Sequence, residues 1–506
     1  MVAAIVSDRL LLRDLIANLA NTHPRDPFLL RLRSSEVVTF SDLELAVHQW
    51  STRLGNRSLQ VGDRVGLLIA DPVQFSLAFL AVIANGLWVA PLDPSNPINV
   101  DALNTRLRNL GAHVVFSDVE RPAAIATKWV DVRDQPPPSS PGPSRTVKHG
   151  GGVILSSSGT TGTPKVMALP VAQLLHTANL IATHNQLSPS DRGLNPLPLW
   201  HINAEVVGLL ASLVAGSSLA LDERFHRTDF WRLADAYEVT WVNAVPAIVA
   251  RLSNLAPDEV VADRIRFIRS ASAPLSPAVL QQFQSTVGVP VIESYGMTEA
   301  ASQISANPLA GQRKLGSAGV PVGVELRIVP FSDDDPETSL NAPSAGQVEI
   351  RGPSVIQRYE STGYEDRFSP DGWLRTGDLG YLDEDGYLFL VGRSDDVINR
   401  GGEKIFPREV EDALLGVDGV RAVAVIALAD DVFGQVPAAY VELEEGRDHD
   451  AVLAQLRRVA TEGFAKTHWP VSFTVVAQLP AHATGKIQKH RLRTEPLEVL
   501  ATMDIR

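Results

Sequence analysis

The feature that most restricts the fold is the repeated exchange between two apolar periodicities in the first hundred residues. Val37-Val38-Thr39-Phe40 is a strand-like run. Ser41-Asp42-Leu43-Glu44 follows with the spacing of a capping box, Glu44 reaching back to the cap N–H. Leu43, Val47, Trp50 and Leu54 then share one helical face, and Gly55 suits the stop. Asp63-Arg64 open a continuous apolar run, Val65 to Ile69; a helix is expected over Phe75 to Ala84 and a strand over Trp88 to Pro91. Strands that are apolar throughout are covered on both faces. The pattern therefore predicts an α/β fold, with β-sheets flanked by helices.

At 506 residues the chain is too long for one core, and two or more domains are expected. The stretch 136–144, PPPSSPGPS, is a linker within the larger domain. Two Asp-Gly turns, Asp371-Gly372 and Asp385-Gly386, imply small antiparallel strands. After Arg393 the texture restarts. Pro407 stands at a helix N1 position, with Glu409 and Glu411 in the first turns. A strand (Ala422 to Leu428), a strand (Ala438 to Leu443), a helix (Ala451 to Phe464) and a strand (Phe473 to Leu479) follow. The expected division is a large domain over 1–394 and a small α+β domain over 395–506.

Composition removes several functions. A net charge of −13 argues against grip on nucleic acid. The absence of cysteine excludes disulfides, thiolate catalysis and cysteine-zinc sites. The N-terminal residues lack a signal peptide's basic and apolar regions, and the longest apolar stretch, Phe75 to Pro91, is broken by Asn85-Gly86. A cytoplasmic enzyme without a membrane span is expected.

Five segments carry chemistry. Ser156-Ser157-Ser158-Gly159-Thr160-Thr161-Gly162-Thr163-Pro164-Lys165 combines hydroxyls, a lysine and glycines that turn backbone N–H groups toward an anion. Its spacing is not that of a Walker loop; the plainer alternative is a flexible linker. In Tyr295-Gly296-Met297-Thr298-Glu299, the tyrosine offers a face for a base and Glu299 a hard oxygen for Mg²⁺, although a turn with a capping glutamate fits equally. Asp378, between Gly377 and Gly380, suits the two hydroxyls of a ribose or a simple Asx turn. Gly392-Arg393-Ser394-Asp395-Asp396 and Asn399 to Lys404 lie where the two textures meet, as a hinge would. Thr484-Gly485-Lys486-Ile487 alone is an exposed loop with a lysine.

In this order, the five segments resemble the adenylate-forming superfamily: AMP-forming acyl- and aryl-CoA ligases, luciferases and peptide-synthetase adenylation domains. Phe40-Ser41-Asp42-Leu43, Gly62-Asp63-Arg64-Val65, Pro198-Leu199-Trp200-His201 and Ser272-Ala273-Pro274-Leu275 extend the resemblance over nearly the whole chain. The acyl-CoA ligases are closest in pattern. The resemblance implies a small, mobile C-terminal domain and two half-reactions. A carboxylic acid attacks the α-phosphate of Mg-ATP to give acyl-AMP and pyrophosphate, and a thiol, commonly that of coenzyme A, then displaces AMP.

The resemblance also implies roles. Ser157, Thr160, Thr161, Gly162 and Lys165 would hold phosphates. Ser272, Ala273 and Pro274 would line the adenine, and Tyr295 would stack on it. Thr298 would touch the α-phosphate and Glu299 the Mg²⁺. Asp378 and Arg393 would hold the ribose. Asp395 would be the hinge, and Lys486 would bridge carboxylate and α-phosphate. His201 would guard the acid's approach. Trp200, Asn203, Trp241, Asn243 and Met297 are pocket candidates, favouring an apolar acid (aryl, alicyclic or fatty), although core packing also accounts for both tryptophans. Gly401, Gly402 and Phe433 match positions beside coenzyme A. The chain departs from the pattern at Thr467-His468-Trp469-Pro470-Val471, where relatives that bind coenzyme A often carry basic residues. Transfer to a carrier protein's phosphopantetheine, or a single half-reaction on acyl-AMP, is therefore the alternative. A monomer or homodimer is expected.

Overall fold

Both large sheets are built mainly from parallel strands, as continuous apolar runs require. The computed structural model describes residues 12–94, 99–133, 150–157, 164–253, 260–330, 345–481 and 486–505. The expected linker at 136–144 lies outside them. Among the described residues, a nine-stranded sheet has parallel central strands in the order Val291–Tyr295, Phe267–Ser270, Trp241–Ala244, Arg192–Asn195, Ser218–Leu221, Pro27–Arg31. A six-stranded sheet runs Lys128–Asp131, Val114–Ser117, Arg64–Leu68, Trp88–Pro91, Gly152–Ser157, Lys165–Pro170, parallel except for the final hairpin. That hairpin pairs the backbones of Ser157 and Lys165, so the strands on either side of the hydroxyl-rich segment are neighbours.

The two Asp-Gly turns belong to antiparallel structure, as expected. Gly386, at φ 78°, joins Leu374–Leu382 to Leu388–Arg393 in a four-stranded sheet, and Gly372, at φ 81°, turns the chain between Phe368 and Leu374. Both need the left-handed backbone that glycine adopts without strain.

The C-terminal sheet pairs Val420–Asp430 with Gly434–Leu443, then adds Ser472–Val476 and Val499–Asp504. The helices Pro407–Leu415 and His449–Gly463 pack with it, Pro407 standing in the first helical turn. Its core, including Ile398, Ile405, Val410, Leu414 and Phe473, is distinct from the larger one, whose members run from Leu12 to Leu388. Each fully buried aliphatic or aromatic side chain contributes about 1.5–3 kcal/mol, so each core supports its own part of the chain.

The helix after the first strands begins earlier than the pattern predicts. It spans Phe40–Gly55, and Thr39, not Ser41, is its cap. Asp42 N–H donates to Thr39 Oγ1 at 3.2 Å, while Thr39 N–H donates to Asp42 Oδ2 at 2.9 Å. The shorter carboxylate closes the box, and Glu44 is not part of it. Among the described residues no helix is long and apolar enough to cross a membrane.

Candidate active site

Side chains from three strands meet at Tyr295, Asp378 and Arg393. Tyr295 ends its strand and donates its hydroxyl hydrogen to Asp378 Oδ2. Asp378 faces Arg393 across the antiparallel ladder and accepts from its guanidinium at 2.9 Å through Oδ1. One carboxylate thus ties the strand end to the antiparallel sheet. Burial, and then Asp378, push the Tyr295 hydroxyl well above the ordinary tyrosine range, so it stays a protonated donor.

The chain turns sharply after Tyr295. A Cβ on Gly296 would lie 1.9 Å from the carbonyl oxygen of Ser302, so only glycine fits. Thr298–Ala300 is a single 3₁₀ turn with Glu299 buried inside. Tyr359 Oη donates to Glu299 Oε1 at 2.9 Å. Among the described residues no group of three or more histidine or carboxylate side chains could hold a metal ion by itself. A divalent cation held by Glu299 would therefore complete its shell with phosphate oxygens and water, the coordination that Mg²⁺ prefers.

Lysines approach from two sides. Lys165 Nζ lies 5.2 Å from the centre of the Tyr364 ring, and burial, then Arg367, lower its pKa while Glu299 opposes. Lys486, from the C-terminal domain, feels Arg393, Asp378, Asp396 and Glu299. The residues that follow Lys486 are anchored by the Ala481–Ile487 bridge and by Lys489 Nζ, 2.7 Å from Glu411 Oε1. Lys486 is exposed, and its pKa is lowered from the ordinary lysine value through desolvation and then Arg393. Asp395 is exposed in the 3₁₀ turn Ser394–Asp396, near enough to act on both Lys165 and Arg393.

A family model of AMP-binding enzymes matches residues 16–360, and a model of the AMP-binding enzyme C-terminal domain matches residues 409–486. The chain belongs to the AMP-binding enzyme family. It is 34% identical to the sulfoacetate–CoA ligase of Cupriavidus necator, over 94% of this chain and 96% of that protein. It is 30% identical to the oxalate–CoA ligase of Arabidopsis thaliana, over 96% and 99%. The o-succinylbenzoate CoA synthetase of Bacillus subtilis, solved with its acyl-adenylate intermediate, superposes with a TM-score of 0.84 at 27% identity, covering 96% of this chain and 99% of that one.

In this AMP-binding enzyme, Trp200 and His201 are half-buried neighbours with ring centres 6.2 Å apart, and Met297 is half-buried. Asn203 Nδ2 donates to Ser272 Oγ at 3.1 Å, and Asn243 Nδ2 to Asn203 Oδ1 at 3.1 Å. Ser272 has φ 77°, a left-handed conformation that costs a residue with a side chain about 1–3 kcal/mol; Ala273 and Pro274 follow it at the strand end. Trp241 is fully buried, stacked on Phe267 with ring centres 5.9 Å apart, and the sheet alternation sets it against Gly193. Core packing, not a place in the acid pocket, accounts for Trp241.

Gly401, Gly402 and Phe433 form a second group on the C-terminal domain. Gly401 N–H donates to Phe433 O at 2.8 Å, and Arg400 lies 5.1 Å from the ring of Phe433, which is 45% exposed. Thr160, Thr161 and Gly162 lie outside the described residues, as does the side chain of Ser157. Sequence reasoning missed Tyr359 and Arg367, which belong to no motif. It also missed Arg269, whose signal was available: a charged residue inside the otherwise apolar run Phe267–Ser270.

Proposed function

We propose that this protein is an ATP-dependent acyl-CoA ligase that activates a carboxylic acid as acyl-AMP and transfers the acyl group to coenzyme A. The observation that carries the reading is the hydrogen-bonded Tyr295–Asp378–Arg393 cluster, with Lys486 near enough to feel Arg393, Asp378 and Glu299. In the first step, a carboxylate oxygen bonds to the α-phosphorus and the bond to pyrophosphate breaks. In the second, the thiol sulfur bonds to the acyl carbon and AMP leaves. Asp378 and Arg393 hold the ribose, Tyr295 lies along the adenine, and Thr298 touches the α-phosphate. Lys165 binds the outer phosphates. Lys486 offsets the repulsion between carboxylate and triphosphate where negative charge develops. Glu299 holds the Mg²⁺ that accompanies ATP; bound there, the ion supplies charge stabilisation at the phosphates.

The boundary between the domains is placed between residues 394 and 395, with Asp395 as the hinge. The change of core between Leu388 and Ile398 supports that placement. Rotation about it would exchange Lys486 for the Gly401, Gly402 and Phe433 face, which serves coenzyme A. The Thr467 to Val471 segment favours keeping the carrier-protein acceptor as a second reading. Lys466 and Thr467 spend their carbonyls on Arg400, and no lysine or arginine stands in 467–471.

The test separates the half-reactions over a panel of acids, following pyrophosphate release and, by mass spectrometry, the thioester. Pyrophosphate with acyl-CoA establishes the ligase. Pyrophosphate without acyl-CoA, together with acylation of a carrier protein, replaces the acceptor. Absence of acid-dependent pyrophosphate release overturns the adenylation reading. A pH prediction follows from Lys486, which must be protonated to act. Its lowered pKa puts the basic limb of kcat/KM for ATP, a property of the free enzyme, below the ordinary lysine value of 10.5. Bound phosphate favours the ammonium form, so the limb in kcat is expected at higher pH. Identical basic limbs in both profiles would remove Lys486 from that titration.

A further inference from the structure

A row of buried polar side chains crosses the carboxyl ends of three adjacent parallel strands. Asn195, Asn243 and Arg269 lie side by side, Asn243 directly opposite Arg269 in the ladder. Arg269 is 1% exposed. Its guanidinium donates to Gln303 Oε1 at 2.7 Å and reaches Asn203 Oδ1 at 3.5 Å. Both partners are amides, which orient a guanidinium without neutralising it. Among the described residues no carboxylate pairs with this cation, and burial alone lowers its pKa, to about 9. A desolvated charge with no counter-ion is strongly unfavourable, and buried charges are ordinarily paired.

The place of this cation matters. In open α/β sheets, ligands bind just outside the carboxyl ends of the strands. Arg269 is the penultimate residue of its strand, three positions before the strained Ser272. Asn203 connects the two. Its Oδ1 accepts from Asn243 and Arg269, which sets the amide with Nδ2 turned toward Ser272. That nitrogen carries two hydrogens, of which Ser272 Oγ takes one. The row thus ends in an N–H donor backed by a buried positive charge, beside the residues assigned to the acid.

We propose that the acid this enzyme activates carries a second anionic group, a carboxylate or sulfonate, bound at Asn203 Nδ2, with Arg269 as the buried counter-charge acting through Asn203. The proposal rests on the ligase reading and replaces the apolar acid expected from the tryptophans. Arg269 is a positioning residue: it orients Asn203 and sets the potential of the pocket.

The test compares matched acids that differ in one charge, malonate against its monoamide and succinate against its monoamide, by initial rates of pyrophosphate release. The wild-type kcat/KM is expected to favour the diacid by at least about 30-fold, the range of one to two charge-assisted hydrogen bonds. Arg269→Gln is expected to reduce that preference to about threefold or less through KM for the diacid, with KM for ATP unchanged; Arg269→Lys is expected to retain most of it. Asn203→Asp keeps the buried charge paired even if Arg269→Gln fails to fold. It places a carboxylate against the guanidinium and is expected to abolish the diacid preference.

A wild-type preference for monoamides or apolar acids overturns the proposal while leaving the ligase intact. Equal losses on both acids in Arg269→Gln, or a preserved diacid preference in Asn203→Asp, also overturn it. Absence of pyrophosphate release with every acid overturns the ligase reading itself.

Discussion

Lys486→Ala is expected to slow acyl-adenylate formation by about 10²- to 10³-fold, the cost of losing one preorganised donor at a site of developing charge. Removing the Lys486 charge, which feels Asp378, Asp396 and Glu299, leaves a more negative field for the incoming carboxylate and triphosphate. The residues after Lys486 are held independently of it, by the Lys489–Glu411 ion pair and by Gln488 N–H donating to Pro480 O at 2.8 Å. The variant therefore removes a charge without releasing the segment. Pyrophosphate release in the first turnover measures the loss. Thioester formation from synthetic acyl-AMP and coenzyme A provides the contrast, because that step involves neither triphosphate nor free carboxylate. It is expected to fall less than about threefold. Equal losses in both half-reactions would show that Lys486 acts on something common to them; near-wild-type pyrophosphate release would remove it from the chemistry.

The layers of the fold were legible because burial leaves a local trace. Trp88–Pro91 is apolar throughout and is flanked on both sides by parallel strands. Asp385-Gly386 announces the turn it makes. Helix ends were harder: whether Thr39 or Ser41 caps the helix depends on which carboxylate closes the box, and Asp42 and Glu44 both offer one. Least legible were contacts between distant residues. Tyr295 and Asp378 are 83 positions apart, Glu299 and Tyr359 60, and Arg269 and Asn203 66. The motifs containing Tyr295, Glu299 and Asp378 stood out as segments, but their mutual hydrogen bonds did not. Trp241 illustrates the opposite error. It shares a sheet face with Asn243, yet lies two residues deeper along the strand, where that face is packed core. Nor does a periodicity argument mark the π-helix Ala204–Leu210, which differs from its α-helical continuation only in hydrogen-bond register.

Glu299→Gln is expected to lower adenylation by about 10²- to 10³-fold at low Mg²⁺. Glutamine matches the size of glutamate and can still accept from Tyr359 Oη, now 2.9 Å away. Packing around this 7%-exposed side chain should persist, and the variant should melt near the wild-type temperature. What disappears is the negative charge. A carboxylate is a far better ligand than an amide oxygen for a hard divalent cation. The charge stabilisation at stake is several kcal/mol, and each 1.36 kcal/mol is tenfold in rate. The discriminating measurement is the Mg²⁺ dependence of pyrophosphate release. In the wild type it should saturate at lower Mg²⁺. In Glu299→Gln the midpoint should move upward, with part of the lost rate recovered as the ion is raised. An unchanged midpoint with a reduced maximal rate would assign Glu299 to positioning Tyr359 and the Thr298 turn instead. In that case Tyr359→Phe should reproduce the loss. If Glu299 holds the ion, Tyr359→Phe removes only one hydrogen bond to a carboxylate that remains charged, and its effect should be about tenfold or less.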